Sequence, residues 1–325
     1  MTHESRPVAR LVDYVSLARP DHWTKHVFIL PGIVLALVLL GPPASWVTLA
    51  WHVVLGLVSA CLVASANYVL NETLDAEFDQ HHPVKSKRAS VTHTMVPWVV
   101  WTQYALLAIG GVAIAATVSR LYWIGALVLL ISGVIYNVAP IRTKERFILD
   151  VVSESVNNPI RLVLGWAMVD GGTLPPSSVV LAYWMGGAFL MAVKRLAEYR
   201  TIATAGKLEA LERYRRSFRF YTERSLLVSS FVYALTAAFC LAIFLIKYRI
   251  EYLIAMPLFV GLFAWYLRMG LLPGSAAEAP EGLFRERGLM LIVAALIVVV
   301  AILTWVDVPL LDTLTDPHYV ELPWR

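Results

Sequence analysis

Charge is scarce along this chain of 325 residues. Only 15% of its side chains are charged and 58% are hydrophobic, where soluble domains carry roughly a quarter charged. A soluble fold of this length could not hide so much apolar surface, whereas a lipid bilayer solvates it. Cysteine is nearly absent, and both Cys61 and Cys240 lie inside apolar stretches, which excludes a disulfide framework and a thiolate zinc site. The first 26 residues hold no apolar core followed by a small-residue cleavage site, so no signal peptide is expected there. Instead Arg6, Arg10, Arg19 and Lys25 alternate with Val8, Leu11, Val12 and Val15. That spacing predicts an amphipathic segment over 1–26 lying on the membrane surface. Low-complexity linkers are missing too, which leaves one membrane domain over 27–306 and a short tail over 307–325.

What is abundant is the apolar run. Such runs fall at 27–40, 46–70, 95–118, 121–138, 148–169, 177–193, 225–246, 251–267 and 288–306, close to the roughly 20 residues that cross a hydrocarbon core as a helix. Nine transmembrane helices are therefore expected. The basic residues test that count independently. With a cytoplasmic N-terminus, the inside segments hold four, three, three, nine and three Lys or Arg residues, 22 of the 27 in the chain. Only Arg120, Lys247, Arg249 and Arg325 fall outside, and Arg161 lies within a span. Adding or removing one central helix would scramble this division, so the positive-inside rule supports both count and orientation. The expected setting is an inner (plasma) membrane, with the C-terminus extracytoplasmic and membrane lipids as surroundings. Nucleic acid is not expected as a partner, and a homo-oligomer is compatible with the pattern.

Polar chemistry gathers in the inside loops 71–94 and 194–224 and in the basic turn 142–146. The stretch 66–88, ANYVLNETLDAEFDQHHPVKSKR, is the most informative. Asn67, Asn71, Asp75 and Asp79 recur at every fourth position, which lines two amides and two carboxylates along one helix face. Carboxylates four residues apart repel by a few tenths of a kcal/mol, and a cation between them removes the repulsion. Hard oxygen ligands of this kind suit Mg²⁺, which takes one or two carboxylates and bridges to substrate phosphates. Asn71, Asp75 and Asp79 are the candidate ligands. After a His82-Pro83 stop, Lys85, Lys87 and Arg88 supply cations for the remaining phosphate charge. A helix end that merely marks the membrane boundary would explain one Asp-x-x-x-Asp pair, but not the amide row, the stop and the basic tail in this order. His81, His82 and His93 read as turn or interface residues. Arg161 is costly at its depth and calls for a partner or a cavity. Asn157-Asn158-Pro159 loosens the helix just before it. A lipid phosphate or an acidic residue is the expected contact.

The run NETLDAEFDQHHPVKSKR resembles the first signature of the UbiA superfamily, Asn-Asp-x-x-Asp-x-x-x-Asp followed by basic sequence. Within that superfamily it is similar to the decaprenyl-phosphate phosphoribosyltransferase-type proteins, whose hallmark corresponds here to Asn71, Asp75, Asp79, His82, Pro83, Lys85 and Arg88. Glu72 stands where the pattern has Asp, and Ala89 where it has Pro. The likeness extends to RPDHWTKH, carrying Arg19, Pro20, Trp23 and Lys25, with His26 in place of Asn. It also includes Tyr136, Lys144, Asp150 and Arg161, the run KRLAEYR from Lys194 to Arg200, and Tyr214 ahead of Phe220-Tyr221.

The resemblance implies an all-α integral membrane bundle of nine helices around a central cavity that is polar at its cytoplasmic mouth. It also implies transferase activity. Aromatic prenyltransferases of the superfamily carry a second Asp-x-x-x-Asp cluster, whereas this chain offers Glu198 beside Lys194, Arg195 and Arg200. One metal cluster plus cationic contacts fits a donor with a diphosphate and a separate phosphate. The expected reaction is Mg²⁺-dependent transfer of 5-phosphoribosyl from phosphoribosyl pyrophosphate to a polyprenyl phosphate. Asp75 and Asp79 are the expected catalytic residues. Asn67, Asn71, Lys25, Lys85, Arg88, Lys144, Arg161, Lys194, Arg195 and Glu198 are the expected substrate-binding residues. Prenyl transfer from an isoprenoid diphosphate is the alternative enzyme. A lipid-phosphate transporter is a further alternative, although the chain lacks the internal repeat that many transporters show.

Overall fold

The computed structural model describes residues 6–80, 85–204, 215–272, 274–278, 283 and 285–311. His82, Pro83, Lys207, Tyr214 and the tail from 312 onward lie outside the described residues. The elements are helical throughout. Helix α1 is Leu11–Leu17, and a 3-10 turn over Pro20–Ile29 leads into α2, Leu30–Leu40. Then come α3 (Trp46–Asp79), α4 (Ala89–Thr92), α5 (Pro97–Val118), α6 (Arg120–Asn137), α7 (Leu149–Ser155) and α8 (Asn157–Val169). The chain continues through α9 (Ser177–Thr204), α10 (Glu223–Tyr248), α11 (Met256–Gly270) and α12 (Arg287–Trp305).

Eight continuous helical stretches among the described residues are long and apolar enough to cross a membrane, against the nine expected. The difference lies in the run 148–169. It folds as two helices divided at Val156, so neither α7 nor α8 spans alone. Pro159, with no N–H to continue the ladder, sits in the first turn of α8, where its absence is least costly. Polar Ser155, Asn157 and Asn158 surround the break and can satisfy freed backbone groups at that depth.

The sides of the bundle expose apolar residues while several charged residues are buried inside, the reverse of a soluble protein. Leu106, Ile109, Phe231, Phe239 and Ile297 are each more than 60% exposed, as lipid-facing residues must be. Glu72, Asp79, Asp150, Arg161 and Arg195 are buried. With no hydrophobic force between helices in lipid, close packing and hydrogen bonds hold them together. Helices α2 and α8 meet backbone to backbone. A Cβ on Gly32 would lie 2.0 Å from the Leu162 carbonyl oxygen, and one on Gly165 2.1 Å from that of Ile29. Between α3 and its neighbours, Ser59 donates to the Gly111 carbonyl at 2.7 Å, Tyr122 to that of Gly56 at 2.5 Å, and Asn67 to that of Leu129 at 2.8 Å.

At one end of the bundle His52, near the start of α3, contacts the Met168 carbonyl, and Ser119 donates to that of Ala167. The 170–176 connection therefore sits opposite the end that carries 71–94. Single cysteines placed at Ser86 and Thr173, with Cys61 and Cys240 replaced, should react with a membrane-impermeant maleimide from opposite faces of sealed vesicles. Labelling of both from one face would contradict this path of the chain.

Candidate active site

Helix α3 has 34 residues, about 51 Å at 1.5 Å per residue, while the hydrocarbon core is about 30 Å thick. Its last turns project past the apolar core, and they carry the amide and carboxylate row. Asp75 is the focus. Its Oδ1 accepts from Arg142 at 3.0 Å and from Lys144 in a close contact, and its Oδ2 accepts from Asn71 Nδ2 at 3.1 Å. Asn137, at the end of α6, accepts from Asn71 at 2.6 Å and from Lys144 at 2.8 Å. The basic turn after α6 thus folds back onto α3, and Arg142 stacks over Phe78 at 4.9 Å.

One turn further along α3, buried Asp79 accepts from Arg88 at 2.8 Å. Glu72 is also buried. Its carboxylate receives Arg19 at 3.1 Å, Arg88 at 2.8 Å and Ser90 at 3.3 Å. Arg19 adopts φ 49°, in the left-handed region that disfavours a side chain, and its pairing with Glu72 and Asp21 holds it there. Glu72 thereby fastens the Arg19-Pro20 motif to the first signature. Asn67 belongs to the row in sequence but not in contact. Its amide donates into α6, and its Oδ1 is left without a partner. Lys25 lies 3.0 Å from His22 Nδ1 on the 3-10 turn.

A second polar cluster forms where α7 and α9 meet. Buried Arg195 reaches Glu154 at 2.6 Å, Glu198 at 3.0 Å and Asp150 at 3.5 Å. Arg215 adds contacts to Asp150 at 3.7 Å and Glu154 at 3.9 Å. Tyr136 donates to Glu154 at 2.8 Å and accepts from Arg215 at 3.1 Å. Asp150 also accepts from Ser217 at 3.1 Å and Tyr221 at 2.6 Å. Three carboxylates meet here rather than Glu198 alone. Arg195 is committed to all three and is not a free phosphate ligand. Lys194, within electrostatic reach of Glu154 and Glu198, makes no hydrogen bond or ion pair among the described residues. Asp150 is spent on this cluster and does not reach Arg161. Sequence reading missed Glu154 and Asn137, and placed Arg142 and Arg215 only within a basic turn and a basic loop. Glu154 alone carried a signal, being four residues after Asp150 as Asp79 is after Asp75.

Lys85 joins the two clusters. Burial pushes its ammonium down to about 7, while the charges of Asp79 and Glu198 pull it upward. Burial likewise pushes Lys144 down to about 8 against the pull of Asp75. Both lysines would be held charged by an arriving phosphate. Among the described residues no group of three His, Cys, Asp or Glu side chains could hold a metal ion. Asp75, Asp79 and the Asn71 amide still fit Mg²⁺, which needs only one or two carboxylates when phosphate oxygens and water complete its shell.

The sequence profile of the UbiA prenyltransferase family matches residues 27–284, most of the chain and both clusters. This chain belongs to that family. Within the UbiA family it is 28% identical over 246 residues to decaprenyl-phosphate phosphoribosyltransferase of Mycolicibacterium smegmatis, covering 73% of this chain and 72% of that one. It is 30% identical over 149 residues to protoheme IX farnesyltransferase of Geobacillus thermodenitrificans, covering 44% and 48%. The fold matches that of a UbiA homolog from Archaeoglobus fulgidus bound to GPP and Mg²⁺, with a TM-score of 0.65 and 21% identity, over 90% of this chain and all of that one. The protein is accordingly an integral membrane transferase of the UbiA type.

The unequal commitment of the two neighbouring cations in this UbiA site has a measurable consequence. Arg195→Ala leaves Glu198 without its ion pair and Asp150 and Glu154 with Arg215 alone, and should cost about 3–5 kcal/mol of stability, read as a lower aggregation temperature in detergent. Lys194→Ala breaks no such pair and should leave that temperature within a few degrees of wild type. Equal thermal losses in the two variants would contradict the pairing described.

Proposed function

We propose that this protein transfers 5-phosphoribosyl from phosphoribosyl pyrophosphate to a polyprenyl phosphate, and that the end bearing 71–94 faces the cytoplasm. The single observation that carries the reading is the surplus of cations at the second cluster. Asp150, Glu154 and Glu198 share Arg195 and Arg215. Lys194 and Lys85 also act on Glu198, so four cations face three carboxylates there, and that surplus suits a phosphate better than a second carboxylate-bound Mg²⁺. A donor with a diphosphate at one end and a phosphate at the other matches this asymmetry. The 28% identity to the Mycolicibacterium smegmatis phosphoribosyltransferase over 73% of the chain supports it, and 22 of 27 basic residues on one side support the orientation.

Asn71, Asp75 and Asp79 would hold Mg²⁺, which supplies charge neutralisation for the departing pyrophosphate. Lys144, Arg142 and Arg88 then face the diphosphate, and Lys85 and Lys194 orient the far phosphate. A phosphate oxygen of the acceptor forms the new bond to C1 as the bond from C1 to the pyrophosphate oxygen breaks. The acceptor oxygen is already ionised, so no general base is required. The residues contribute position and electrostatics.

Incubation of the purified protein with labelled phosphoribosyl pyrophosphate, Mg²⁺ and decaprenyl phosphate should move label into an organic extract. Asp75→Asn and Asp79→Asn should each reduce that transfer about a hundredfold or more, consistent with several kcal/mol of lost charge stabilisation. Ca²⁺ should replace Mg²⁺ poorly, because it prefers longer bonds and more ligands. Absence of phosphoribosyl pyrophosphate binding, together with Mg²⁺-dependent binding of an isoprenoid diphosphate, would establish prenyl transfer instead.

A further inference from the structure

Arg161 lies midway along α8 with 8% of its surface exposed. It makes no hydrogen bond or ion pair among the described residues, and its Nε is a buried donor with no acceptor. Across from it, on the 3-10 turn, His26 is 5% exposed and its Nδ1 is also unpartnered. Tyr68 of α3 and Tyr183 of α9 are within electrostatic reach of the guanidinium, as is His26. Tyr183 is pinned to the 3-10 turn by donating to the Phe28 carbonyl at 3.1 Å. Three elements therefore converge on this α8 cation, and none of the facing side chains is a carboxylate.

The neighbouring acids are committed elsewhere. Glu72 is held by Arg19 and Arg88, and Asp150 by Arg195, Arg215, Ser217 and Tyr221. A buried guanidinium with no counter-charge costs several kcal/mol. A bundle that places no acid beside it leaves the counter-charge to a ligand. The Arg161 guanidinium and the unpartnered His26 Nδ1 match the oxygens of a phosphate group, for which Arg is the strongest partner.

Depth and surroundings indicate the source of that phosphate. Tyr68 precedes Asp75 by seven residues on α3, so the Arg161 site lies about 10 Å toward the membrane interior from the metal-binding row. The turn that points His26 inward shows Trp23, Val27, Phe28 and Leu30 outward, each between 38% and 46% exposed. A lipid tail has an apolar surface there while its headgroup reaches inside. We propose that Arg161 and His26, flanked by Tyr68 and Tyr183, seat the phosphate monoester headgroup of a prenyl lipid. Its role as acceptor seat rests on the phosphoribosyl-transfer reading.

Binding of farnesyl phosphate, farnesol, inorganic phosphate and Mg²⁺-phosphoribosyl pyrophosphate to the full chain in detergent tests this, without turnover. Arg161→Gln should weaken farnesyl phosphate roughly ten- to a hundredfold, as loss of a charge-assisted contact does. Arg161→Lys should recover part of that loss. Farnesol and phosphoribosyl pyrophosphate should change less than about threefold, which also shows that the variant is folded. If Arg161→Gln does not survive purification, His26→Ala carries the same comparison, with an expected loss of about fivefold. Unchanged farnesyl phosphate affinity in these variants overturns the proposal, as does a parallel loss of farnesol, which would mark a packing role. Inorganic phosphate binding to wild type as tightly as farnesyl phosphate would make this a free-anion site and overturn the lipid assignment. Failure of phosphoribosyl pyrophosphate to bind wild type, with the Arg161 dependence intact, would remove the donor reading and leave the headgroup seat in place.

Discussion

Charge inside this bundle has to be paired, and that constraint organises the structure. Away from water an isolated ion costs several kcal/mol, so each buried carboxylate of the two clusters lies against a basic side chain. Glu72 has Arg19 and Arg88, Asp75 has Arg142 and Lys144, Asp79 has Arg88, and Asp150, Glu154 and Glu198 share Arg195 and Arg215. These pairs bind segments distant in sequence. The 3-10 turn, the end of α3, the turn after α6, the broken fifth span and the end of α9 are drawn to one end of the bundle. The apolar helices set the cage, and the pairing sets where its polar ends meet.

Much of this was legible in the sequence. Apolar runs of membrane length and the one-sided distribution of Lys and Arg anticipated the helical spans, and the fourfold spacing of Asn71, Asp75 and Asp79 anticipated one polar face. The run 148–169 divides at Val156, beside the loosening expected at Asn157-Asn158-Pro159, and its first half, LDVVSES, is too short and too polar to cross alone. The counterparts of the carboxylates were harder still. Asn137 meets Asn71 across 66 positions, and Arg142 meets Asp75 across 67. No local periodicity encodes such contacts. Asp150 and Glu154 repeat the helical spacing of the first signature, but they sit in a run whose hydrophobicity dominates. Arg195 was readable as a cation, and only the fold shows that three carboxylates already occupy it.

The same pairing bears on how a substrate would enter under the proposed reaction. In this arrangement the places beside Asp75 and Asp79 are taken by Lys144, Arg142 and Arg88. Asp75 and Asp79 would hold a divalent ion, and Lys144, Arg142 and Arg88 would then pair with the oxygens of a diphosphate. Neither set is left uncompensated during the exchange. Burial holds Lys85 and Lys144 near 7 and 8, so adjacent phosphate oxygens would favour their charged forms more strongly than the carboxylates do alone. A metal without the diphosphate would compete with those cations directly, and a diphosphate without the metal would meet the carboxylates unshielded. Each component therefore favours the other, and the site is electrostatically suited to the metal and diphosphate together rather than to either one separately.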